Sequence, residues 1–567
     1  MYSCLLGFSQ KDLNLDDAVM NQYRKYAPDR VANFEWIPGS NDYSYLDEGR
    51  TKLVRSNPST ENVTTIIDIS EVNEMMNTSY DIFYSVSWIN KNEILLEDGF
   101  SFIKINIETK KGEEYWTDAG EHSFSFEPNS GKLAFCVNNN ISIRGKENQG
   151  GPVTNNSDPN IVVGQAIARS EFGITNGLFW SKNGKYLAFY QKDESNVHDY
   201  PPLNNEDTPG SLIQVKYPMA GQLSENPKIG IFNTKTRKTV FIKPKGNEDD
   251  YLTNLSFTPD EKYVVVAEVN RAQNHMWLNV YSTEDGSFVK TLLEETNERW
   301  VEPETPAYFP CENENSFVWM SEKDGYMNLY YYDFEGNLKY QATNHQFVVK
   351  EILGMSDDNK HLYYSATGEN PMNTMVYDFN VKKKKSTLLT TVEGTHRVKI
   401  SDNGKYFCDT YSNGNTPNKS IIYNAKRIPV KTINNSIDKL KDHKIGKTEI
   451  GTLKASDNSK LYFRLIKPYD FDSTKQYPVL IYVYGGPHAQ LVTNSWMYGA
   501  SLWMHWMANQ GYIVFTLDNR GSASRGFAFE SQIHRKLGTL EIEDQMKGVE
   551  YLKNLSYVDQ NRFAVHG

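Results

Sequence analysis

Leu178-Phe179-Trp180-Ser181-Lys182-Asn183-Gly184-Lys185-Tyr186-Leu187-Ala188-Phe189 is an alternating apolar strand, a polar turn and a second strand, and the same phrase recurs along most of the chain. Clear copies stand at Phe124 to Phe135, Leu255 to Val265, Met355 to Tyr364 and Ile400 to Phe407, with degenerate ones near Trp36, Trp88 and Phe309. Each copy has hairpin chemistry. Asn-Gly and Asp-containing turns supply the positive φ of a tight connection, and period-two alternation supplies one buried face. Eight such units between residues 33 and 434, at a period of roughly 40 or more residues, predict an eight-bladed β-propeller, since radial repetition leaves only short edges. A repeated β-sandwich is the competing architecture; repetition of a single turn phrase favours blades.

After Asn434 the pattern changes. Beyond the Lys-rich stretch Asp438 to Lys447, the runs Val479-Leu480-Ile481-Tyr482-Val483-Tyr484 and Tyr512-Ile513-Val514-Phe515-Thr516-Leu517 are continuously apolar, as in strands buried on both faces of a mostly parallel sheet. Ser495 to Gln510 and Glu541 to Leu555 read as helices, the second with Ile542, Met546, Val549 and Leu552 at near-helical spacing. The expected division is an N-terminal segment 1–32, a propeller 33–434 and the N-terminal part of an α/β-hydrolase domain, 435–567. Leu13 to Tyr26 is expected to be helical and to pack on the second domain. The apolar start Met1 to Gln10 fits either the tail of a secretory signal or an ordinary apolar terminus.

With 39% hydrophobic, 23% charged and 13% aromatic residues, including 36 Tyr, the composition is that of a β-rich globular protein. A formal charge of -11 supplies no basic field for polyanions, so nucleic acid is excluded as a partner class. No apolar run reaches the roughly 18 to 20 residues of a membrane-spanning helix. Cys4, Cys136, Cys311 and Cys408 form no CxxC pair, no His or Cys cluster has metal-ligand spacing, and no Gly-rich phosphate loop follows a strand; no cofactor or metal is implied.

Four stretches carry a resemblance: Tyr482-Val483-Tyr484-Gly485-Gly486-Pro487, Asp518-Asn519-Arg520-Gly521-Ser522, Arg535-Lys536-Leu537-Gly538-Thr539-Leu540-Glu541-Ile542-Glu543-Asp544-Gln545, and Arg562-Phe563-Ala564-Val565-His566-Gly567. With Glu171-Phe172-Gly173-Ile174 and Glu268-Val269-Asn270-Arg271-Ala272-Gln273-Asn274, the chain resembles the dipeptidyl-peptidase IV family of the prolyl oligopeptidase-like serine peptidases, its bacterial secreted members especially. The resemblance implies a propeller capping an α/β-hydrolase domain and a secreted or periplasmic protein. It also implies peptide substrates with a free N-terminus, release of dipeptides ending in Pro or Ala, and a homodimer of the intact protein.

Such chemistry needs a serine activated by a histidine held by an aspartate, with donors for the oxyanion. Family members carry the serine in a Gly-x-Ser-x-Gly elbow. The closing run reads as a strand entering the first glycine of that elbow, Gly567, and the motif occurs nowhere else in the sequence. The chain is therefore expected to stop before its nucleophile, to be inactive alone, and to expose apolar surface at Val565. His488, His534 and His566 are set aside as substitute bases, because the family's base follows the serine in chain order.

By resemblance, the Tyr484 hydroxyl is the oxyanion donor within these residues, a role typically worth ~3 kcal/mol of barrier. By the same resemblance Glu171 binds the substrate α-ammonium, since an exopeptidase must measure distance from that charge and a carboxylate in a low-dielectric cavity does so by ion pairing. Asp518, Arg520 and Asp544 are assigned to architecture. Two departures bear on product length. Arg169-Ser170 precede a single Glu171 where dipeptidyl members offer two adjacent glutamates, and Glu121 stands where an arginine is expected. A prolyl tripeptidyl aminopeptidase is the enzymatic alternative, and a non-enzymatic β-propeller binding module is the alternative from another class.

Overall fold

The computed structural model describes residues 10–99, 101–145, 150–310 and 315–567. Residues 1–9, with the apolar start and Cys4, lie outside the described residues, as does Cys311. Eight antiparallel sheets follow one another over 32–68, 85–116, 122–152, 161–241, 251–296, 316–341, 349–388 and 395–435. The inner strands of blades one and two, three and four, and eight and one touch one another. The sixth sheet has three strands and is completed on its inner side by a two-way backbone pairing of Tyr308 with Val318. The ring closes between the last and first blades through side chains: Trp36 Nε1 donates to Lys399 O at 2.8 Å, and Lys399 Nζ donates to Phe34 O at 2.9 Å.

The recurring phrase is a closed turn built around one hydroxyl. At Ser181, Thr258, Ser356 and Ser401 the residue's N–H donates to the carbonyl five residues on, and its side-chain oxygen accepts from that same residue's N–H at 3.0 to 3.2 Å. The third residue after each hydroxyl has φ between 54° and 66°: Gly184, Glu261, Asn359 and Gly404. At Ser401 the hydroxyl also donates to Tyr406 O at 2.9 Å, so one side chain serves both backbone groups of Tyr406. Ser401→Ala is therefore expected to cost about 1–2 kcal/mol, read as a lowered midpoint in chemical denaturation.

The second domain is one five-stranded sheet in the order Thr448–Lys454, Lys460–Ile466, Ile513–Leu517, Tyr477–Tyr482, Val558–His566. Its last three strands are parallel, as expected, and its first two run antiparallel. Those two are joined by a turn too short for the crossover that a parallel pair requires. Alternation sorts the core onto two faces. Ile466, Leu480 and Val514 meet the helix Leu502–Asn509 on one side, while Leu465, Val479, Ile481, Phe515 and Leu517 pack with Leu552 of the helix Leu540–Lys553 on the other. Val565, on the strand flanking Tyr477–Tyr482, is 70% exposed.

Two helices differ from their sequence expectation. The segment from Ser495 forms a 3-10 turn, with Met497 and Tyr498 at φ 55° and 56°, before the α-helix starts at Leu502. The buried Arg464 guanidinium accounts for this, since it binds the carbonyls of Leu491 and Tyr498 at 2.9 and 2.6 Å. In Leu540–Lys553 the buried stripe is Glu541, Asp544, Gly548 and Leu552, whereas Ile542 and Met546 are 58% and 49% exposed. An ion pair from Asp544 to Arg520 sets the helix phase against the apolar pattern. Near the N-terminus, helix Leu15–Val19 is capped by Asn14, whose Oδ1 accepts from Asp17 N–H at 2.7 Å. Leu13, Ala18 and Tyr26 pack with Leu440 and Leu502 of the second domain. Cys136 and Cys408 are buried free thiols, and burial pushes both up to about 12. No described helix is long and apolar enough to cross a membrane.

Candidate active site

The strand Tyr477–Tyr482 ends in the turn that carries Tyr484. Val483 N–H donates to His566 O at 3.0 Å, Gly485 takes φ 81°, and a Cβ on Gly486 would sit 2.9 Å from the Tyr484 ring. The ring folds over the space that glycine leaves open, and the side chain is 63% exposed. The next loop is fastened to the strand end Thr516–Ser522. Asp518 accepts from Leu491 and Val492 N–H at 2.9 and 3.0 Å, and Asn519 Nδ2 donates to Gly485 O at 3.3 Å. Burial pushes the Asp518 carboxyl up to about 6 against the pull of those two N–H groups and of Arg464. Arg520 grips Asp544 from below. These residues are the frame of the Tyr484 turn.

Blade four presents Glu171 at the end of an unusual turn. Ala168, Arg169, Ser170 and Phe172 have φ of 52°, 52°, 65° and 58°, a left-handed region that costs a residue with a Cβ roughly 1–2 kcal/mol. Ile167, Phe172 and Ile174 are buried, whereas Glu171 is exposed. Gly173 lies against the backbone of Glu304, where a Cβ would meet Glu304 O at 2.2 Å. Glu171 is close enough to Glu302 for its charge to raise that carboxyl.

Glu302 and Glu304 line a cavity of about 300 Å³ together with Glu322 and Lys350 from the propeller and His488, Ser524, Gly526 and Glu530 from the second domain. His488, four residues beyond Tyr484, stands between the domains, with Nε2 3.2 Å from Glu302 and Nδ1 3.7 Å from Glu530. Burial first, and then the neighbouring acids, raises Glu302 to about 7 and Glu322 to about 8; burial also raises Glu530 and lowers Lys350. The domains dock beside this cavity through Phe527 N–H to Gly325 O at 2.9 Å, Arg299 Nη1 to Ser531 Oγ at 2.6 Å, and Trp300 packed on His488, Phe527 and His534.

A pocket that gathers carboxylates without matching cations suits a cationic ligand group. A roomier cavity of about 640 Å³ has different walls, Phe179, Trp180, Phe257, Phe309 and Lys182 among them, and brings no carboxylate. It lies at the C-terminal ends of inner strands whose opposite ends, at Tyr251, face Phe172 and the Glu171 turn. No cluster of metal ligands occurs among the described residues.

Neither Glu171 nor Tyr484 lines the acidic cavity; Glu171 reaches it through its charge on Glu302, and the Tyr484 loop through His488. His534 and His566 sit elsewhere: His534 packs on Trp300, and His566 on Trp503 at 4.9 Å. Glu121 is paired with Arg144 at 2.9 Å. Sequence reasoning did not single out Glu302, Glu304, Glu322 or Glu530. The one local signal was the acid pair flanking proline in Val301-Glu302-Pro303-Glu304, a break in an otherwise alternating stretch.

Residues 100–418 match the family described as "Dipeptidyl peptidase IV (DPP IV) N-terminal region", and residues 498–567 match the "Prolyl oligopeptidase family". Among curated proteins, the chain is 27% identical to human "Prolyl endopeptidase FAP", over 78% of this chain and 62% of that one. It is 25% identical to "Probable dipeptidyl-aminopeptidase B" of Arthroderma benhamiae, over 78% and 52%. The chain thus spans between about half and three-fifths of the length of these relatives. Among solved structures, a putative dipeptidyl aminopeptidase IV from Bacteroides ovatus superposes with a TM-score of 0.90 at 32% identity, covering 99% of this chain and 81% of that one. Porphyromonas gingivalis dipeptidyl peptidase 4 superposes with a TM-score of 0.85 at 25% identity, covering 98% and 81%. With a propeller and hydrolase sheet meeting at an acid-lined chamber, and with these matches, the chain belongs to the dipeptidyl peptidase IV-like branch of the prolyl oligopeptidase family of peptidases.

Proposed function

We propose that the chain is the amine-recognising propeller and the leading part of the hydrolase sheet of a serine exopeptidase that releases short Xaa-Pro or Xaa-Ala peptides from free N-termini. The observation that carries this reading is the convergence of Glu302, Glu304, Glu322 and Glu530 on one cavity, with Glu171 near enough for its charge to raise Glu302 and with His488, four residues beyond Tyr484, in its wall. An α-ammonium entering there gains charge-assisted bonds to Glu171 and to the Glu302 and Glu530 carboxylates that His488 now contacts, while an acylated terminus leaves those acids unpaired. With the amine held, the scissile carbonyl falls toward the Tyr484 hydroxyl, which donates to the oxyanion. No Gly-x-Ser-x-Gly motif occurs in the 567 residues, so no nucleophile is assigned among them. A secreted or periplasmic setting rests on the same family resemblance.

Titration of the chain with a free-amine Xaa-Pro peptide and its N-acetylated counterpart tests this. The free amine is expected to bind at least about ten-fold more tightly, and Glu171→Gln to remove most of that advantage, since a charge-assisted bond is worth roughly 1.5–3 kcal/mol. Equal affinities, or a Glu171→Gln variant that still prefers the free amine, would remove the assignment.

A second reading, release of tripeptides, is favoured by one observation: the turn at 168–172 offers a single glutamate, while the other acids stand on residues 302–304, 322 and 530. In the complete enzyme, release of coloured product from dipeptide and tripeptide substrates separates the two.

A further inference from the structure

The turn that presents Glu171 is held in place by a buried charged cluster that takes no part in the chamber. Lys192, Glu194 and Glu225 are 8%, 8% and 6% exposed. Lys192, on the strand Tyr186–Asp193, has its Nζ 2.8 Å from Glu194 Oε1 and 3.9 Å from Glu225 Oε2. Glu225 immediately precedes the paired strand Asn226–Asn233. Two buried carboxylates share one ammonium, and the shortfall is met by the turn: Ala168 N–H donates to Glu225 Oε1 at 2.6 Å. Glu225 Oε2, at 3.9 Å from Lys192, has no hydrogen bond. Among the described residues the carboxylate therefore depends on Ala168 for its one hydrogen bond and on Lys192 for its counter-charge.

Ala168 is the first of the left-handed residues, and the bonds within the turn follow from its placement: Ser170 N–H to Ile167 O at 3.1 Å, Glu171 N–H to Ala168 O at 3.0 Å and Ile174 N–H to Glu171 O at 3.1 Å. A strained backbone persists only where its surroundings over-determine it. Here Ile167 and Phe172 pin the two ends in the apolar core, and Glu225 pins the amide between them.

We propose that Glu225, held by Lys192, is a positioning residue for amine recognition: it locks the 168–172 turn so that the Glu171 carboxylate meets the incoming ammonium at a set distance from the bond to be cut. This inference rests on the ammonium-binding reading of Glu171.

Its test combines two measurements on the full 567-residue chain and its Glu225→Ala, Glu225→Gln, Lys192→Met and Glu171→Gln variants. Hydrogen exchange followed by mass spectrometry reports the turn directly, with blade one as an internal control for misfolding. Titration with free-amine and N-acetylated peptides reports recognition. Glu225→Ala is expected to speed exchange across 168–172 and to cut the free-amine advantage about ten-fold, as displacement of a binding group does, while affinity for the acetylated peptide stays the same. Lys192→Met should act in the same direction. Glu225→Gln keeps an oxygen for Ala168 N–H and should restore most of both readouts.

Faster exchange with an undiminished free-amine preference would show a merely structural anchor and overturn the positioning role. Unchanged exchange in both Glu225→Ala and Lys192→Met would overturn the anchor itself. If Glu171→Gln leaves the free-amine preference intact, the ammonium reading fails and takes the recognition half of the proposal with it. The anchoring half still stands or falls on the exchange data.

Discussion

Arg520→Leu is expected to destabilise the second domain by about 3–5 kcal/mol, the usual cost of leaving a buried charge without its partner. Asp544 is fully buried and Arg520 is 3% exposed. The guanidinium reaches the carboxylate with Nε at 3.0 and 3.1 Å and Nη2 at 2.7 Å, and the Arg520 backbone N–H adds a bond of 2.8 Å. Leucine keeps only the backbone bond, and no water can take over. Asp544→Asn should cost less, because the amide keeps an acceptor and the guanidinium retains Glu543 at 3.3 Å and Asp457 at 3.9 Å. Lysine at 520 cannot reproduce the two-pronged grip. Urea denaturation followed in the second domain is the check. A loss under about 1 kcal/mol for Arg520→Leu, the range of an exposed pair, would show that the pair is not the keystone of the motif.

The second large effect is a fall in stability as pH rises from about 5 to 8. Burial, reinforced by Glu530, Glu302 and Glu304, raises Glu322 from 4.5 to about 8, and Glu302 is raised to about 7. In the unfolded chain these carboxyls ionise near their ordinary value. Between those limits the folded state holds protons that the unfolded state has released, so stability is full below about 4.5 and is lost as pH climbs through the folded values. Asp518, raised to about 6, acts with the same sign over a lower window.

Glu322→Gln should flatten the profile and stabilise the protein at pH 8 by about 2 kcal/mol, seen as a denaturation midpoint that moves less between pH 5 and pH 8.5 than in the unsubstituted chain. The groups facing this carboxyl are Glu295, Glu302, Glu304 and Glu530, with Lys350 and His488 on the same cavity. Because an α-ammonium would supply the missing countercharge, a free-amine peptide should stabilise the protein more at pH 8 than at pH 5.5. An identical increment at both values would argue against binding at these acids.

The blades were legible because their information is local. One hydroxyl, one left-handed residue and two alternating strands fit within a dozen residues, and Ser181, Thr258, Ser356 and Ser401 each make the same bonds without help from distant sequence. The parallel strands of the second domain were legible for a similar reason: the runs around Leu480 and Phe515 are predominantly apolar, and both faces are covered. Helix Leu540–Lys553 could be located but not oriented. Its apolar spacing pointed Ile542 and Met546 inward, whereas a bidentate ion pair outweighs two apolar side chains and turns Asp544 to the interior instead.

The candidate site divides along the same line. Tyr484 and Glu171 stand in recognisable local phrases, so the sequence alone marked both as site candidates and placed a ring before a hydrolase sheet. Glu302, Glu322 and Glu530 belong to segments with no shared pattern, and Glu530 joins the two propeller acids only because propeller and sheet dock along Gly325, Arg299 and Trp300. The anchoring of Ala168 by Glu225, 57 residues away, is of the same kind. Hydrogen-bonded turns and alternating faces are properties of neighbouring residues. The energy of a charge depends on what the fold places around it, and that was decided by tertiary structure alone.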